Sequence, residues 1–354
     1  MKTHKNLYSK IVAFENLLLA AQKAAAGKRE QANILHFFNR LEENLWQLQE
    51  QLQTQTYQPG EYSTFQIYEP KPRMISAAPF RDRVVHHALI NAIGPLFERS
   101  FIFDSYANRL GKGTHRAIRR YQHFLREYRY VLKCDIKKYF PSIDHEILKR
   151  LIRRYIAEAQ TLWLIDRIID GSNLQEEVRD YFPADDLFTM IERRKGLPIG
   201  NLTSQFFANL YLNPLDHFVK ERLRCCAYLR YVDDFALLAK RKAELWEWRN
   251  RIAIFLQAFR LKLHPQRCYI FPARLGWHFL GQQVFRTHRR LAAVNVRKFK
   301  KCLRGWREFP PENLQQRLAS WVGHASQADT HHLLLALSLE CLNTGEPQPN
   351  PESY

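Results

Sequence analysis

Between Ala227 and Lys240 the chain reads AYLRYVDDFALLAK: two apolar runs, Ala227–Val232 and Phe235–Ala239, flank a bare pair of carboxylates, Asp233 and Asp234. Tyr, Val, Leu and Phe favour strands and Asp tolerates tight turns, so the stretch predicts a β-hairpin with the acids at its tip. Asp in a hairpin turn is commonplace and by itself implies nothing more. A second stretch upstream changes the weighing. In YVLKCDIKKYFPSID, Tyr130–Leu132 and Cys134 make another short apolar run, with Asp135 at its far end. Three acids at the ends of neighbouring strands repel one another unless a cation intervenes, which points to a divalent metal site.

The chain is 354 residues long, enough for more than one core. Its hydrophobic content of 46% and aromatic content of 13% describe a folded protein. The formal net charge of +19 points to a polyanionic partner, nucleic acid before membrane. Six scattered cysteines make no C-x-x-C, so neither a zinc ribbon nor a disulfide framework is implied; buried thiols in a reducing cytoplasm are expected. The apolar stretch near the start, IVAFENLLLAAQKAAAGK, is broken by Glu15, Asn16 and Lys23 and holds no uncharged run near about 18 residues, so it is expected to be neither a signal peptide nor a membrane span.

In chain order, helical spacing predicts amphipathic helices over 7–26, ending at Gly27, and over 31–53. Phe65–Tyr68 reads as a strand. Lys71, Arg73, Arg81 and Arg83 follow it, a basic strand-turn able to meet a triphosphate or simply to form a solvated edge. His86 and His87 read as helix residues, packed or exposed, not ligands. Thr114 is placed to cap a basic helix starting at His115. Asp185-Asp186, with no strand before it, reads as a loop or helix cap. In GLPIGNLTSQFF a glycine loop opens a helix from about Thr203, where backbone N–H groups can approach a nucleotide closely. Around the acids the order is β-α-(insert)-α-β-β-α-β, which suits a split βαβ sheet backed by helices. From Arg286 the chain is expected to be basic and helical, with the apolar stripe Phe299, Leu303 and Trp306. His324, Asp329, His331 and His332 lack metal-ligand spacing.

Four stretches taken together resemble reverse transcriptases over roughly Tyr57 to Leu342. YVDD resembles the Y-x-D-D catalytic hairpin, and DIKKYF the preceding catalytic strand. GLPIGNLTSQ is similar to the loop and helix that support template and incoming nucleotide, and LGWHFLGQQV to the hairpin that grips the primer. Within that family the chain resembles the enzymes of diversity-generating retroelements. Ile199 precedes Gly200 and Ser204 is followed by Gln205, whereas group II intron enzymes usually carry Gln before the Gly and Ser-Pro after it. YEPKPRMIS, SWVGHASQADTHHL and the single basic region after the palm are similar to the same group.

The resemblance implies an α+β right-hand polymerase fold with fingers, a ferredoxin-like antiparallel-sheet palm and a helical thumb. Expected divisions are an N-terminal helical extension (1–56), fingers with part of the palm (57–130), palm (131–285, with an insert at 158–196), thumb (286–345) and a flexible tail (346–354). It implies RNA-directed DNA synthesis that copies a template-repeat RNA into cDNA with misincorporation at template adenines. Asp135, Asp233 and Asp234 would hold two Mg²⁺ ions, with the Ile136 carbonyl as a further ligand. Lys71 and Arg73 would meet the triphosphate. Phe140 would exclude a 2′-hydroxyl, and Ile199, Gly200 and Gln205 would line the template and nucleotide pocket. Partners implied are template RNA, the RNA/cDNA hybrid, dNTPs and the accessory variability determinant protein, Avd, with no membrane and a cytoplasmic location. Where polymerases often keep a Lys that protonates pyrophosphate, this chain has Arg267, a poor proton donor. Competing readings are another bacterial reverse transcriptase (retron, group II or defence-associated), a maturase-like protein with a dead core, and a basic RNA scaffold without chemistry.

Overall fold

The structure is a computed structural model that describes residues 4–342 except 69–71, 174, 184 and 187, with backbone only at 190, 191 and 338–342. Lys71 and the expected tail lie outside the described residues.

Among the described residues, nine strands form three antiparallel sheets. β1 (Ser63–Ile67) pairs with β2 (Arg73–Ala77). The central sheet contains β3 (Tyr130–Cys134), β4 (Tyr228–Tyr231), β5 (Asp234–Ala239) and β6 (Tyr269–Pro272), in the order β4-β5-β3-β6. β7 (Trp277–Phe279), β8 (Gln282–Val284) and β9 (Arg289–Leu291) make a third sheet. In chain order the central sheet runs second-third-first-fourth, the split βαβ arrangement expected from the sequence.

The central strands are apolar without alternation because both of their faces are covered. On one face Leu132, Phe235 and Leu237 join the larger core, with Leu245, Ile252 and Leu256 of the Lys242–Gln257 helix. On the other, Val131, Leu229, Ala236 and Leu238 pack with Ile118, Tyr121 and Leu125 of the Thr114–Glu127 helix and with Phe279 and Val284 of the third sheet. A sheet held from both sides fixes its strand ends, and the acids stand at those ends.

Several elements differ from the sequence reading. The expected 7–26 helix breaks at Ala13, whose ψ of 134° leaves the helical region; Asn16 then donates to the Ile11 carbonyl at 3.0 Å. The 31–53 helix breaks at Arg40, and Asn44 donates to the Phe37 carbonyl at 2.9 Å. In both places an asparagine satisfies a carbonyl that the break releases. Thr114 does not cap: it is the first residue of its helix, after Gly113 at φ 98°. Arg289–Leu291 is a strand, so the chain turns helical only at Ala293, where the Ala293–Glu308 helix begins. Phe299 of that helix stacks on Trp321 of the Leu314–Ala325 helix at 3.6 Å between centroids.

Ion pairs pin the 158–196 segment to the chain that flanks the central sheet. Asp180 meets Lys137 at 3.0 Å and Lys262 at 3.3 Å. Asp185 takes Arg260, and Asp144 takes Arg193 at 2.6 Å. Asp186 accepts from the Thr189 backbone at 2.7 Å, so the second Asp-Asp pair is the loop-and-cap element that the sequence suggested.

Candidate active site

The hairpin tip is strained and braced. Tyr231 pairs with Asp234 across a two-residue turn of Val232 and Asp233, so Asp233 stands at the tip while Asp234 opens β5. Val232 takes φ 57°, a left-handed conformation that costs a residue with a Cβ on the order of 1–2 kcal/mol. The fully buried Arg230 donates to the Val232 carbonyl at 2.9 Å and to Asn209 Oδ1 at 3.1 Å. Its other nitrogens grip Asp216 at 2.8 and 2.6 Å, and the Tyr228 hydroxyl donates to the same carboxylate at 2.6 Å. Burial pulls the Arg230 pKa down, but Asp216 outweighs it and holds the guanidinium above its ordinary value. At the rim, the Tyr231 and Thr114 hydroxyls share a hydrogen bond at 3.1 Å.

Asp135 follows β3 directly. Extending the β3–β5 register one rung beyond Cys134↔Phe235 sets it opposite Asp234. The charge of Asp135 reaches both of the other acids. Burial, then Asp135, then Asp234 push the Asp233 carboxyl up to about 6, against a lowering pull from Arg73. Burial raises Asp234 to about 6 as well, with Asp135 adding and Lys133 opposing. Two cations sit among them: Lys133 Nζ lies 3.2 Å from Asp234 Oδ2, and Arg267 Nη1 lies 3.1 Å from Asp135 Oδ2.

No group of three His, Cys, Asp or Glu side chains among the described residues forms a ready-made metal cage. The donor set nevertheless fits a divalent cation. Asp234 Oδ1 is buried with no hydrogen-bond partner, and burial, with the charge of Asp135 adding, raises the pKa of both Asp233 and Asp234. A hard cation relieves both conditions and takes oxygen ligands of this kind. Near Ile136 the sheet continues as a bridge to Leu263, made by Lys137 N–H to Lys262 O at 2.9 Å and His264 N–H to Asp135 O at 2.7 Å. Neither bond uses the Ile136 carbonyl.

The surrounding pocket residues come from separate elements. Arg73 opens β2, is exposed, and lies close enough for its charge to reach Asp233. Phe140 is half-buried against the larger core in the short Tyr139–Ser142 helix, its ring 5.7 Å from that of Tyr139. The Ile199 carbonyl accepts from Ser76 N at 2.9 Å, tying the glycine loop to β2. Gly200 takes φ 118°, and a Cβ there would come 2.9 Å from Ile75 Cγ2, so the position admits only glycine without a shift. Gln205 is half-buried in the first turn of the Leu202–Tyr211 helix.

Sequence reasoning missed four contributors. Buried Asn201 donates to Ser76 O at 2.8 Å and accepts from Ala78 N at 3.1 Å, clamping β2 and Arg73 to the loop. Lys133 is two positions from Asp135 and therefore shares its face, a relation that period-2 reading could have found. Arg230 is a lone cation in an apolar strand, a sign of a buried partner; its partner Asp216 carried no local signal. Thr114 was noticed, but for a different role.

The family model for reverse transcriptase (RNA-dependent DNA polymerase) matches residues 67–284. Protein YkfC of Escherichia coli strain K12 is 25% identical over 299 residues, covering 73% of this chain and 75% of YkfC. Group II intron-encoded protein LtrA of Lactococcus lactis subsp. cremoris is 25% identical over 211 residues, covering 59% of this chain and 33% of LtrA. Among solved structures, apo telomerase from Candida tropicalis aligns with TM-score 0.42 and 13% identity over 68% of this chain and 50% of that one.

Proposed function

This chain belongs to the reverse transcriptase (RNA-dependent DNA polymerase) family, and on that premise we propose that it is the polymerase of a diversity-generating retroelement. It would copy a template-repeat RNA into cDNA with errors concentrated at adenines, and the cDNA would overwrite a variable region of a target gene. One observation carries the polymerase reading: Asp135, which follows β3, comes opposite Asp234 at the start of β5, and its charge raises the pKa of both Asp234 and Asp233, with Arg73 opposing at Asp233.

Reverse transcriptase domains use divalent metal ions. In our reading Asp135, Asp233 and Asp234, with the Ile136 carbonyl, hold two Mg²⁺ ions. When bound, such ions lower the pKa of a primer hydroxyl and neutralise charge on the departing pyrophosphate. The chain's own side chains do the rest. Arg73 offers a planar fork to the triphosphate, with Lys71 as a second cation by sequence. Arg267 sets its guanidinium beside Asp135 as a positive charge, in place of the Lys that would donate a proton. Phe140 presents a ring that leaves no room for a 2′-hydroxyl. Val232, held in place by Arg230, keeps Asp233 at one height above the sheet.

The subtype rests on Ile199 and Gln205. An aliphatic group at 199 cannot hydrogen-bond near the incoming nucleotide, so discrimination between right and wrong pairs falls. Losing one net bond of about 1 kcal/mol changes selectivity only about fivefold, so the two residues act jointly. The accessory partner would be Avd. A second reading, an intron-type reverse transcriptase, is favoured by the likeness to LtrA.

Primer extension on an RNA template with Mg²⁺, with and without Avd, followed by sequencing of the product, tests both. Adenine-concentrated errors support the first reading; accurate copying supports the second; absence of any extension removes the polymerase reading.

A further inference from the structure

Cys134 ends β3 and Cys268 immediately precedes β6. The two strands pair with Lys133 opposite Tyr269, and one rung further sets the two cysteines face to face. Their sulfurs lie 3.0 Å apart, buried, and both thiols are free. Each is also chain neighbour to a member of the same ion pair: Cys134 precedes Asp135 and Cys268 follows Arg267, and those side chains meet at 3.1 Å. β6 is an edge strand, Cys268 keeps 8% of its surface exposed, and the Arg249 guanidinium lies beside it. A cation beside a sulfur favours the thiolate, the form that attacks an oxidant.

We propose that Cys134 and Cys268 form a reversible disulfide, with a hydroperoxide as oxidant, that lowers polymerase activity by shifting Asp135 and locking Arg267 against it. In the first step the Cys268 thiolate attacks the outer oxygen of the hydroperoxide. The O–O bond breaks, the sulfur becomes a sulfenic acid, and the alcohol, or water from hydrogen peroxide, departs after taking a proton. In the second step the Cys134 sulfur attacks the sulfenic sulfur. The S–O bond breaks, hydroxide leaves with the Cys134 proton as water, and the S–S bond forms. A dithiol reductant reverses the bond by exchange. Bonding closes the gap between the sulfurs by about 1 Å at the rung next to Asp135 and fixes the two side chains against each other. A displacement of Asp135 of up to that size costs up to about 100-fold in rate. The switching role rests on the polymerase reading; the bond itself does not.

The test uses the full chain, treated with hydrogen peroxide and then with dithiothreitol. Peptide mapping under non-reducing conditions is expected to find Cys134 joined to Cys268. Primer extension should fall on the order of 10- to 100-fold and return with reductant. Cys268→Ser and Cys268→Ala should match the reduced protein with and without peroxide. A map in which only the exposed Cys226 or Cys302 is oxidised overturns the proposal, as does a 134–268 bond that leaves extension unchanged. Equal peroxide losses in wild type and both variants also overturn it. No extension by the reduced protein overturns the polymerase reading and the switching role with it, while the peptide map decides the bond independently.

Discussion

Arg230 and Asp216 meet at 2.6 Å with neither side chain exposed, one on the strand leading into the Val232–Asp233 turn, the other on a helix behind it. Removing one partner of a buried pair leaves an uncompensated charge and costs about 3–5 kcal/mol. Asp216→Ala is therefore expected to lower the unfolding free energy by about that amount. Arg230 would also lose its anchor while still bonded to Val232, so extension should fall further than the lost stability explains. Denaturant melts and extension by the folded fraction check this; an unchanged melt would contradict the role assigned to the pair.

The acids predict a pH dependence with a definite sign. Asp233 and Asp234 titrate near 6 in the fold, above the ordinary value of 3.8. Their contribution to stability is fully present below the ordinary value and is lost as pH rises through about 6. Without divalent cation, the protein should melt at a lower temperature at pH 8 than at pH 5 through these groups. Mg²⁺ should raise the melt more at pH 8. Asp233→Asn should flatten the dependence and abolish extension. Thermal melts across pH with and without Mg²⁺ are the measurement; a melt that Mg²⁺ leaves unmoved at pH 8 would count against a metal site.

Arg73 stands near Asp233 on a strand clamped by Asn201. A charge-assisted bond is worth about 1.5–3 kcal/mol, so Arg73→Ala should raise KM for dNTPs about 10- to 100-fold. Arg73→Lys should recover only part, since an ammonium lacks the planar fork. Steady-state kinetics at varied dNTP check both, and an unchanged KM would remove Arg73 from the triphosphate.

Ile199→Gln offers a hydrogen bond where the chain now has none. Misincorporation at template adenines should drop about fivefold, and the double change with Gln205→Pro should lower it further. Deep sequencing of extension products reads this directly; an unchanged error spectrum would defeat the joint role of 199 and 205.

Local pattern carried much of this fold. The apolar runs around Asp233 and before Asp135 announced strands, and the split βαβ order followed from their spacing. What stayed hidden was long-range and polar. Asp216 sits in a helix with no hint of its partner, and Asn201, just ahead of the expected helix, drew no reading although it spans to β2. The breaks at Ala13 and Arg40 occur at residues that are good helix formers, because packing and an asparagine bond override propensity there. Arg289–Leu291 looked helical by charge pattern and is instead the third strand of a sheet.

Asp135 and the arginine that faces it hang from adjacent strands although 132 positions of chain separate them. The strand that brings that arginine into line is the last of its sheet to be made. A nascent chain leaving the ribosome therefore carries its acids well before it can set them in order. Chains cut short ahead of residue 272 are expected to bind RNA through their basic surface yet copy none of it.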